Sequence, residues 1–450
     1  MSTALIILAA GNGTRMNSDL PKVLHTLAGA PMFAHAIASG KSLEPDRTIV
    51  IVAQGSEEVA KAAHDIDPGI EIIVQSEQLG TGHAVLQARD ALAGFEGDVV
   101  VLFGDTPFVR PDTLLLMAEA RKTNDVIVLG FEAADPGRYG RLVMSGERLE
   151  KIVEYKDASP VEKRITFCNA GIKMASSKDM FSLLEDVGND NASGEFYLTS
   201  IVDIACERGL TATTIACQET ETLGINSRAE LAGAEAAFQA RARATALENG
   251  STLVAPDTVH FSLDTLIGRD VTIEPNVVFG PGVTVETGAR IRSFSHLEGC
   301  HVGSGAIVGP FARLRPGAEL ANDAHIGNFV EIKNSEIGEG AKVNHLSYIG
   351  DTSVGNATNI GAGTITCNYD GYMKHRTEIG ARSFIGSATM MIAPVKIGDD
   401  AMTATGTVVT SDIPDGTLAI SRTKQQNKPG LARKLFEKLK ATKAARRKRG

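Results

Sequence analysis

The second half of the chain repeats a hydrophobic position every six residues, often followed by glycine or another small residue. Allowing for three contractions and one interruption, the repeated positions are Ile267, Ile273, Phe279, Val285, Ile291, Leu297, Val302, Val308, Leu314, Leu320, Ile326, Ile332, Ile337, Val343, Ile349, Val354, Ile360, Ile379, Ile385, Met391, Ile397, Thr403 and Val409. This period fits neither an amphipathic helix nor an alternating strand, and it is typical of a parallel β-helix. Three hexads should close one triangular coil, so that residues 18 apart stack at about 4.8 Å. Periodicity alone leaves open whether the solenoid is catalytic or serves only as a spacer or a trimer-forming element.

The first half alternates apolar runs with helix-like segments. The apolar runs are Ala4 to Ala10, Thr48 to Ala53, Ile70 to Val74, Val99 to Phe103 and Val126 to Phe131, and the helix-like segments are Glu57 to His64, His83 to Leu92 and Asp112 to Lys122. This alternation predicts a doubly wound, mainly parallel sheet with ligands at the carboxyl ends of its strands.

The two halves are joined by an alanine-rich, glycine-poor segment, Arg228 to Glu248, which predicts a single helix. We therefore expect an α/β domain at 1–227, a helical linker at 228–248, a β-helix at 249–420 and a basic tail at 421–450.

Composition and charge narrow the function classes. Residues 1–10 are apolar without a basic leader, which predicts a buried first strand rather than a signal peptide, and no later run is long enough for a bilayer. Five scattered cysteines show no zinc or disulfide spacing and favour a reducing cytoplasm. The net charge of -9 conceals a basic C terminus, Lys424 to Arg449, which could bind nucleic acid or membrane but is better interpreted as a solvated tail. We expect a cytoplasmic protein without nucleic-acid or membrane partners.

A glycine-containing loop follows the first predicted strand. It reads Leu8-Ala9-Ala10-Gly11-Asn12-Gly13-Thr14-Arg15-Met16 and is followed by Pro21-Lys22. Glycines let backbone N–H groups approach phosphate oxygens, and Arg15 and Lys22 can neutralise a triphosphate or a departing pyrophosphate. The loop lacks the spacing of a Walker motif and the third glycine of a dinucleotide fold. The whole arrangement resembles the signature of sugar-phosphate nucleotidyltransferases.

Two further strand ends carry polar residues. Gln75 to Gly82 leads from a strand into a helix, and a side-chain amide beside exposed backbone groups can read the edge of a pyrimidine. Asp105, in Phe103-Gly104-Asp105-Thr106-Pro107, places a carboxylate where magnesium beside a phosphate site would need one.

The order of the remaining motifs resembles the family of bifunctional bacterial enzymes that make UDP-N-acetylglucosamine. These motifs are Gly140, Ile152 to Lys156, Cys168 to Gly171, Gly194 to Tyr197 and Gly224 to Asn226. The resemblance implies that Leu8, Ala9, Ala10, Gly11 and Lys22 bind the nucleotide, that Gln75, Gly80 and Thr81 contact uracil, that Gly140, Glu154 and Asn169 hold the amino sugar, and that Asn226 joins Asp105 on magnesium.

Two cations of the second half share a position in the repeat. Arg315 and Lys333 each follow a repeated aliphatic residue and are 18 residues apart, so we expect them to stack on one outer face of the β-helix. Two unpaired cations at strand spacing repel each other, and an anion such as a sugar phosphate would relieve that cost. Solvated surface charges are the alternative.

His345 and a break in the repeat are the other candidate site elements. His345 follows Val343 by two places, which predicts an outward position at a corner, with Tyr348 nearby. A histidine can accept a proton from an amine that attacks a thioester. The segment Thr366 to Glu378 interrupts the hexads and predicts a loop ejected from the coil, which is where a β-helix builds a site.

The Ile-Gly hexads at Ile326, Ile337, Ile360 and Ile397 resemble left-handed β-helix acyltransferases, and Gly361 to Gly371 again resembles the bifunctional family. The fold class implied is a Rossmann-like nucleotidyltransferase domain followed by a left-handed parallel β-helix. The resemblance implies that Arg315, Lys333, Tyr348 and Asn359 bind glucosamine 1-phosphate, that His345 is the general base, oriented by Glu331, and that Ala362, Asn368, Tyr369, Ser387, Thr405 and Arg422 line the acetyl-CoA site. Thr405 stands where an alanine is common in the family, so a backbone contact is expected there.

The implied function is a two-reaction enzyme. Its β-helix would acetylate glucosamine 1-phosphate from acetyl-CoA, and its first domain would join the resulting N-acetylglucosamine 1-phosphate to UTP with magnesium. The family resemblance also implies a homotrimer. The alternatives are a nucleotidyltransferase for another sugar with a regulatory β-helix, as in ADP-glucose pyrophosphorylases, and a non-catalytic scaffold, as in exchange-factor subunits of translation.

Overall fold

The structure is a computed structural model that describes residues 2–11 and 13–447. It divides into two compact units. The first comprises the residues up to Ala246 together with His260–Thr265, and the second comprises Leu247–Val259 and the residues from Leu266 onward. The short segment at 260–265 belongs to the first unit through the amide of Gln239, which bonds Phe261 N and O at 2.8 and 2.7 Å.

The first unit is built on a mixed nine-stranded sheet. Its strands are β1 Thr3–Leu8, β4 Arg47–Ala53, β5 Glu71–Gln75, β6 Asp98–Phe103, β7 Val126–Glu132, β8 Arg141–Ser145, β9 Arg148–Val153, β10 Phe167–Ser176 and β11 Ala212–Cys217, and a separate hairpin pairs β2 Thr26–Leu27 with β3 Ala30–Pro31. The order is β11-β7-β10-β6-β1-β4-β5, with the β8–β9 hairpin attached to β10. All five predicted apolar runs form strands, because both faces of the sheet are covered by apolar cores.

The sheet departs from the predicted parallel arrangement at β10. This strand runs antiparallel between β6 and β7, with Lys173 opposite Val101 on one side and Val128 on the other. Its register shifts between Asn169 and Lys173, which marks a bulge.

Eight α-helices are described. They are α1 Met32–Gly40, α2 Glu57–Ile66, α3 Thr81–Leu86, α4 Pro111–Arg121, α5 Ser177–Glu185, α6 Ile201–Glu207, α7 Arg228–Glu248 and α8 Leu431–Arg447. The linker helix α7 has the predicted bounds. The helix predicted at His83 to Leu92 starts earlier and ends at Leu86, after which the chain continues in turns.

The second unit is a triangular solenoid with three stacked parallel sheets. The first face contains Thr252–Leu253, Thr272–Ile273, Arg290–Ile291, Ile307–Val308, His325–Asn328, Lys342–His345, Asn359–Ile360, Phe384–Ile385, Met402–Thr403 and Leu418–Ala419. The second face contains Leu266–Ile267, Val283–Val285, Cys300–Val302, Ala318–Leu320, Ser335–Ile337, Thr352–Val354, Thr377–Ile379 and Val395–Ile397. The third face contains Val278–Phe279, His296–Leu297, Arg313–Leu314, Glu331–Lys333, Tyr348–Gly350, Ile365–Cys367, Met390–Ile392 and Val408–Val409.

Every repeated position predicted from the sequence lies in one of these strands, and nearly all of them are buried. The register pairs Leu314 with Ile332 and Val343 with Ile360 on successive coils. The repeated aliphatic residue fills the prism together with the smaller residue two places before it, as in the buried pairs Ala289/Ile291 and Ala318/Leu320, because side chains two apart on a strand point to the same face. These sheets agree with the predicted left-handed parallel β-helix.

The predicted ejected loop lies between Ile365–Cys367 and Thr377–Ile379. A bridge between Tyr369 and Lys374 closes it. The carboxylate of Asp370 accepts from the N–H groups of Tyr372 and Met373 at 2.8 and 2.7 Å and pairs with His375 at 2.8 Å. Those bonds hold the pKa of Asp370 well below its usual range, so the loop is internally ordered.

The basic C terminus is exposed throughout its described residues, in agreement with the solvated tail that the sequence predicted, but part of it is helical. Residues 431–447 form α8, whose side chains described through Arg446 are exposed. The helix was not predicted from the sequence, although Leu431, Leu435 and Leu439 are spaced along it at helical intervals. Lys448 to Gly450 lie outside the described residues. Within the described part of the chain, no helix is both long enough and apolar enough to cross a membrane.

Candidate functional site

A cleft opens at the carboxyl edge of the sheet in the first unit. It is bounded by the ends of β1, β5 and β6 and by the start of α3. Its lining residues are Leu8, Ala10, Gly11, Lys22, Val23, Gln75, Gln78, Gly80, Thr81, Ala84, Phe103, Asp105 and Glu195. Leu8 pairs with Phe103 in the β1–β6 register, so the glycine loop after β1 and the Gly104-Asp105 turn after β6 are neighbours. The strand ends therefore bring together residues nearly 100 positions apart.

Lys22, Asp105 and Asn226 converge at one end of this cleft. The Lys22 ammonium donates to Asp105 Oδ2 and, at 3.1 Å, to Asn226 Oδ1. Asn226 is held there because Ile225 N donates to Asp105 O at 2.9 Å. Two oxygens thus point at a common cation, and that cation is an ammonium. The carboxylate and amide carbonyl are the hard oxygen donors that magnesium accepts when phosphates and waters complete its shell. Among the described residues, no group of three or more His, Cys, Asp or Glu side chains is arranged so that it could hold a metal ion by itself.

The predicted pyrimidine residues share the cleft wall. Gln75 is buried, and its amide nitrogen lies 3.2 Å from Gly80 O and 3.1 Å from His83 Nδ1. Gly80 adopts a φ of 115°, and a Cβ there would lie 2.6 Å from Phe196 O, so a side chain is excluded. Thr81 opens α3, and its hydroxyl accepts from Leu198 N at 3.1 Å rather than capping its own helix.

Gly140, Glu154 and Asn169 lie together at the other predicted part of the site. Asn169 N donates to Gly140 O at 2.9 Å, and a Cβ on Gly140 would touch both carboxylate oxygens of Glu154 at 3.4 Å. Thr199 Oγ1 donates to Glu154 Oε1 at 3.2 Å. The three predicted sugar residues therefore form one cluster at the ends of β8, β9 and β10.

Some placements differ from the simple expectation. Ala9 is buried against β4, with its N–H bonded to Ile51 O, and Arg15 is exposed in the short turn Thr14–Met16. Asn12, in the same loop, lies outside the described residues. Gln78 and Glu195 line the cleft although the sequence gave them no role. Their signal was present, since both lie inside motifs already singled out.

The third face of the β-helix carries the predicted pair of cations. Arg315 N donates to Ile332 O at 2.9 Å, so Arg315 and Lys333 occupy adjacent coils of one sheet, as expected. The assumption that they are unpaired is wrong. Arg315 Nη1 bonds Glu331 Oε1 at 2.9 Å, and Lys333 Nζ lies 4.0 Å from Asp351 Oδ2. The spacing of the repeat predicted that the two cations stack, but it did not predict the acidic side chains that pair with them from the adjacent coil.

A third cation joins this face from the ejected loop. Lys374 has its pKa lowered by contact with the ammonium of Lys333. Asp351 lies beside them, and although burial acts against it, hydrogen bonds from Asn334 and Asn368 lower its pKa. Asn368 Nδ2 also lies 3.4 Å from the Tyr348 hydroxyl. Two ammonium groups in contact repel each other, and a bound anion would relieve that repulsion. The sequence gave no role to Lys374, because the repeat does not encode how the loop closes.

One corner of the prism, between the first and third faces, aligns several other predicted residues. Asn328, His345, Ala362, Ser387 and Thr405 each follow a first-face hexad residue by two places. The coils connect along this corner, where Leu346 N bonds Asn328 O, Gly363 N bonds His345 O, Ala388 N bonds Ala362 O and Gly406 N bonds Ser387 O. Arg422 reaches the same corner and donates to Thr405 O at 2.7 Å. His345 therefore stands in one column with the predicted acetyl-CoA residues.

The residue that orients His345 is Asn328, and not Glu331 as predicted. His345 Nδ1 lies 2.9 Å from Asn328 Oδ1, while Glu331 is bonded to Arg315. A side-chain carbonyl oxygen only accepts, so Nδ1 donates and Nε2 keeps its lone pair.

Asn359 and Tyr369 lie apart from these groups. Asn359 is on the first face, aligned with Lys342 and Phe384, and not on the third face with Arg315 and Lys333. Tyr369 is exposed on the ejected loop, with its hydroxyl bonded to Gly371 O at 2.5 Å.

Comparison with known proteins matches both halves. Residues 5–166 match the MobA-like NTP transferase domain, and residues 264–299 match the bacterial transferase hexapeptide family of six repeats. The bifunctional protein GlmU of Ruegeria sp. (strain TM1040) is 67% identical over 448 residues, covering 100% of both chains. The chain belongs to the GlmU family. GlmU proteins of Ruegeria pomeroyi and Jannaschia sp. are 65% and 63% identical, over 98% or more of each chain.

Membership of the GlmU family confirms the predicted fold class and the prediction of a bifunctional transferase, with a nucleotidyltransferase half and a hexapeptide acyltransferase half. Neither alternative fits this match, because a regulatory β-helix or a scaffold has a single transferase activity or none. Among solved structures, UDP-glucose pyrophosphorylase complexed with UDP-glucose aligns with a TM-score of 0.45 and 17% identity, over 54% of this chain and 100% of that one.

Proposed function

We propose that the chain makes UDP-N-acetylglucosamine in two steps. The second unit transfers acetyl from acetyl-CoA to the amine of glucosamine 1-phosphate, and the first unit transfers uridylyl from UTP to the product and releases pyrophosphate. The observation that carries this proposal is the presence of two separate polar constellations, Lys22-Asp105-Asn226 in a nucleotide cleft and the His345 column beside the cations of the third face.

In the uridylyl step, a phosphate oxygen of N-acetylglucosamine 1-phosphate attacks the α-phosphorus of UTP in line. The new P–O bond forms as the bond to the β-phosphate breaks and pyrophosphate leaves. Lys22 and the N–H groups of the glycine loop stabilise the charge of the leaving group, and Arg15 is placed to approach it from solvent. With its amide nitrogen engaged by Gly80 and His83, Gln75 offers its side-chain carbonyl, the acceptor that the N3–H of uracil requires.

Magnesium fits the convergence of Asp105 and Asn226. When bound, it neutralises phosphate charge and aligns the phosphates for in-line attack. The two protein oxygens match its preference for few protein ligands. Asp105 and Asn226 would hold the ion, and Lys22, which pairs with Asp105 here, would be available to bind the phosphates.

In the acetyl step, the amine of glucosamine 1-phosphate attacks the thioester carbonyl of acetyl-CoA. His345 Nε2 accepts the proton that the amine loses, and the coenzyme A thiolate leaves and is protonated. Arg315, Lys333 and Lys374 hold the phosphate, and Tyr348 and Asn368 lie beside it. Ala362, Ser387 and Thr405 line the corner for the thioester arm, with Arg422 near the phosphates of coenzyme A.

A homotrimer is supported by an exposed aromatic ladder. Phe294, Phe311 and Phe329 are stacked with ring centroids 4.9 and 5.2 Å apart and remain 53%, 46% and 55% exposed. Leu346, beside His345, extends the ladder. Such an apolar stripe on a solenoid is covered by another chain, and the occupant proposed here is a second copy. The acetyl sites then lie at the seams between subunits, in a cytoplasmic assembly.

Product analysis tests the function directly. Purified protein mixed with glucosamine 1-phosphate, acetyl-CoA, UTP and magnesium should release free thiol and pyrophosphate and accumulate UDP-N-acetylglucosamine. Pyrophosphate release with another sugar phosphate and no thiol release would contradict the proposal. Omitting acetyl-CoA while supplying N-acetylglucosamine 1-phosphate is the control that isolates the second step.

A further inference from the structure

A buried lysine in the sheet of the first unit is unused by the mechanism above. Lys173 lies on β10 between Val101 of β6 and Val128 of β7, and only 1% of it is exposed. Lysines are almost never fully buried without a partner, because removing an ammonium from water is costly. A leucine or methionine would fill this core position without that cost, so the amine must have a compensating interaction.

The interactions of Lys173 lead into the sugar cluster. Its Nζ donates to Gly171 O at 2.9 Å. Gly171 N in turn donates to Asn169 Oδ1 at 3.0 Å, and Asn169 N donates to Gly140 O at 2.9 Å. Gly140 packs on the carboxylate of Glu154. The negative charge of Glu154 also acts on Lys173 through space and raises its pKa, against the effect of burial.

Lys173 also spans the bulge that shapes the sugar cluster. The β10 register shifts between Asn169 and Lys173, and Gly171, inside the bulge, has a φ of 93°. A Cβ on Gly171 would lie 2.9 Å from the ring of Phe103, which lines the nucleotide cleft. The hydrogen bond from Lys173 therefore fixes a strained turn between the sugar cluster and the cleft.

We propose that Lys173 is a positioning residue for the amino-sugar subsite, acting from within the core through Gly171 and Asn169 and through its charge on Glu154. The inference rests on the proposed assignment of Gly140, Glu154 and Asn169 to the sugar. Lys173 touches neither substrate, and it keeps the amide of Asn169 and the carboxylate of Glu154 in the geometry that the sugar hydroxyl and acetamido groups need.

The charge of Lys173 gives the subsite a pH dependence. Burial lowers its pKa to about 8, and the carboxylate of Glu154 opposes that shift. The neighbouring strands present Val101 and Val128, and Glu154 is the titratable group acting on it among the described residues. Below about pH 8 the ammonium attracts Glu154, and above it the neutral amine does not. The KM for N-acetylglucosamine 1-phosphate should therefore rise with pH above about 8, while the KM for UTP stays flat.

The test compares Lys173→Met and Lys173→Arg in the full chain. Lys173→Met loses one hydrogen bond and the charge interaction with Glu154, so its KM for N-acetylglucosamine 1-phosphate should rise about tenfold. Its KM for UTP should stay within about twofold of the wild-type value. Lys173→Arg keeps the charge, so it should have a KM nearer that of the wild type and lose the rise above pH 8. Lys151→Met, on the exposed side of β9, is the matched control and should change neither KM.

Two results overturn the inference. One is an unchanged KM for the sugar phosphate in a folded Lys173→Met, and the other is a wild-type KM that stays flat from pH 7 to 9.5, a measurement that holds even if the variant does not fold. The variant Asn169→Ala distinguishes a wrong role for Lys173 from a wrong assignment of the amino-sugar subsite. If Asn169→Ala raises the sugar KM and Lys173→Met does not, the subsite stands without Lys173. If neither does, the subsite assignment itself is wrong.

Discussion

At the scale of single residues, neighbouring polar side chains on the β-helix have different tasks. Asn328 is bonded to His345, and Glu331, three positions later, is bonded to Arg315. The sequence suggested Glu331 as the partner of His345 and left Arg315 unpaired, because the hexad repeat assigns residues to faces but does not show which polar atoms bond to each other. Asn328 fixes the tautomer of the proposed base, and Glu331 holds the arginine that is proposed to bind the phosphate.

We predict that Asn328→Ala lowers the kcat of acetyl transfer about fivefold, because the lost hydrogen bond is worth about 1 kcal/mol and the imidazole is no longer held in one tautomer. The KM for glucosamine 1-phosphate should change little. Steady-state thiol release measures both constants. Glu331→Gln is the matched control and should instead raise that KM. If Glu331→Gln instead lowered kcat and left that KM unchanged, Glu331 rather than Asn328 would be the residue that orients His345.

At the scale of elements, the coils pack backbone against backbone at the glycine that follows each aliphatic residue. A Cβ on Gly361 would lie 2.5 Å from Ser387 N and 2.6 Å from Ile385 O, and neither atom can move without shifting a coil. These contacts explain why glycine or another small residue recurs at this place in the hexad.

We therefore predict that Gly361→Ala destabilises the second unit by roughly 1–3 kcal/mol, the usual range for overpacking. The control is Gly233→Ala in α7, where a Cβ meets nothing within 4 Å. It should stabilise its helix by up to about 1 kcal/mol, since alanine is the better helix former. Chemical denaturation of the full chain compares the two. Equal stability of both variants would contradict the close packing described for the corner.

The elements also show how far the sequence carries. The six-residue period predicted which aliphatic residues lie in the strands of the coils, and the linker helix α7 was predicted with its observed bounds. Both signals are local and periodic, so they can be found in the sequence alone. The position of β10 between β6 and β7 was not predictable, since strand order depends on long-range pairing that no periodic signal marks. For the same reason the sequence missed Lys173 and Lys374, which reach their sites through a bulge and a loop. Helix α8 was not predicted, because the run of cations in this segment indicated a solvated tail more strongly than the spaced leucines indicated a helix.

At the scale of the whole molecule, each unit contains its own polar site and its own core. Among the described residues, the two candidate sites have no residue in common, so the two reactions should respond to substitution independently. The exposed Phe294-Phe311-Phe329 ladder lies in the second unit, which is therefore the unit proposed to form the trimer.

Phe311→Glu should break the trimer and abolish acetyl transfer, because a carboxylate in a stacked apolar seam is left without a partner. Uridylyl transfer should persist at close to its normal rate. Light scattering and the two assays measure these outcomes. Val161→Glu, at an exposed position of the first unit, is the control and should leave the assembly unchanged. A monomeric variant with full acetyl transfer would contradict the proposal that the acetyl-transfer sites lie between subunits.

The central claim is that the Asp105 cleft and the His345 corner perform separate reactions. The most direct measurement assays both reactions in Asp105→Ala and in His345→Ala. Asp105→Ala should abolish uridylyl transfer while acetyl transfer continues, and His345→Ala should do the reverse. Loss of both activities in either variant, with the protein still folded, would contradict the account.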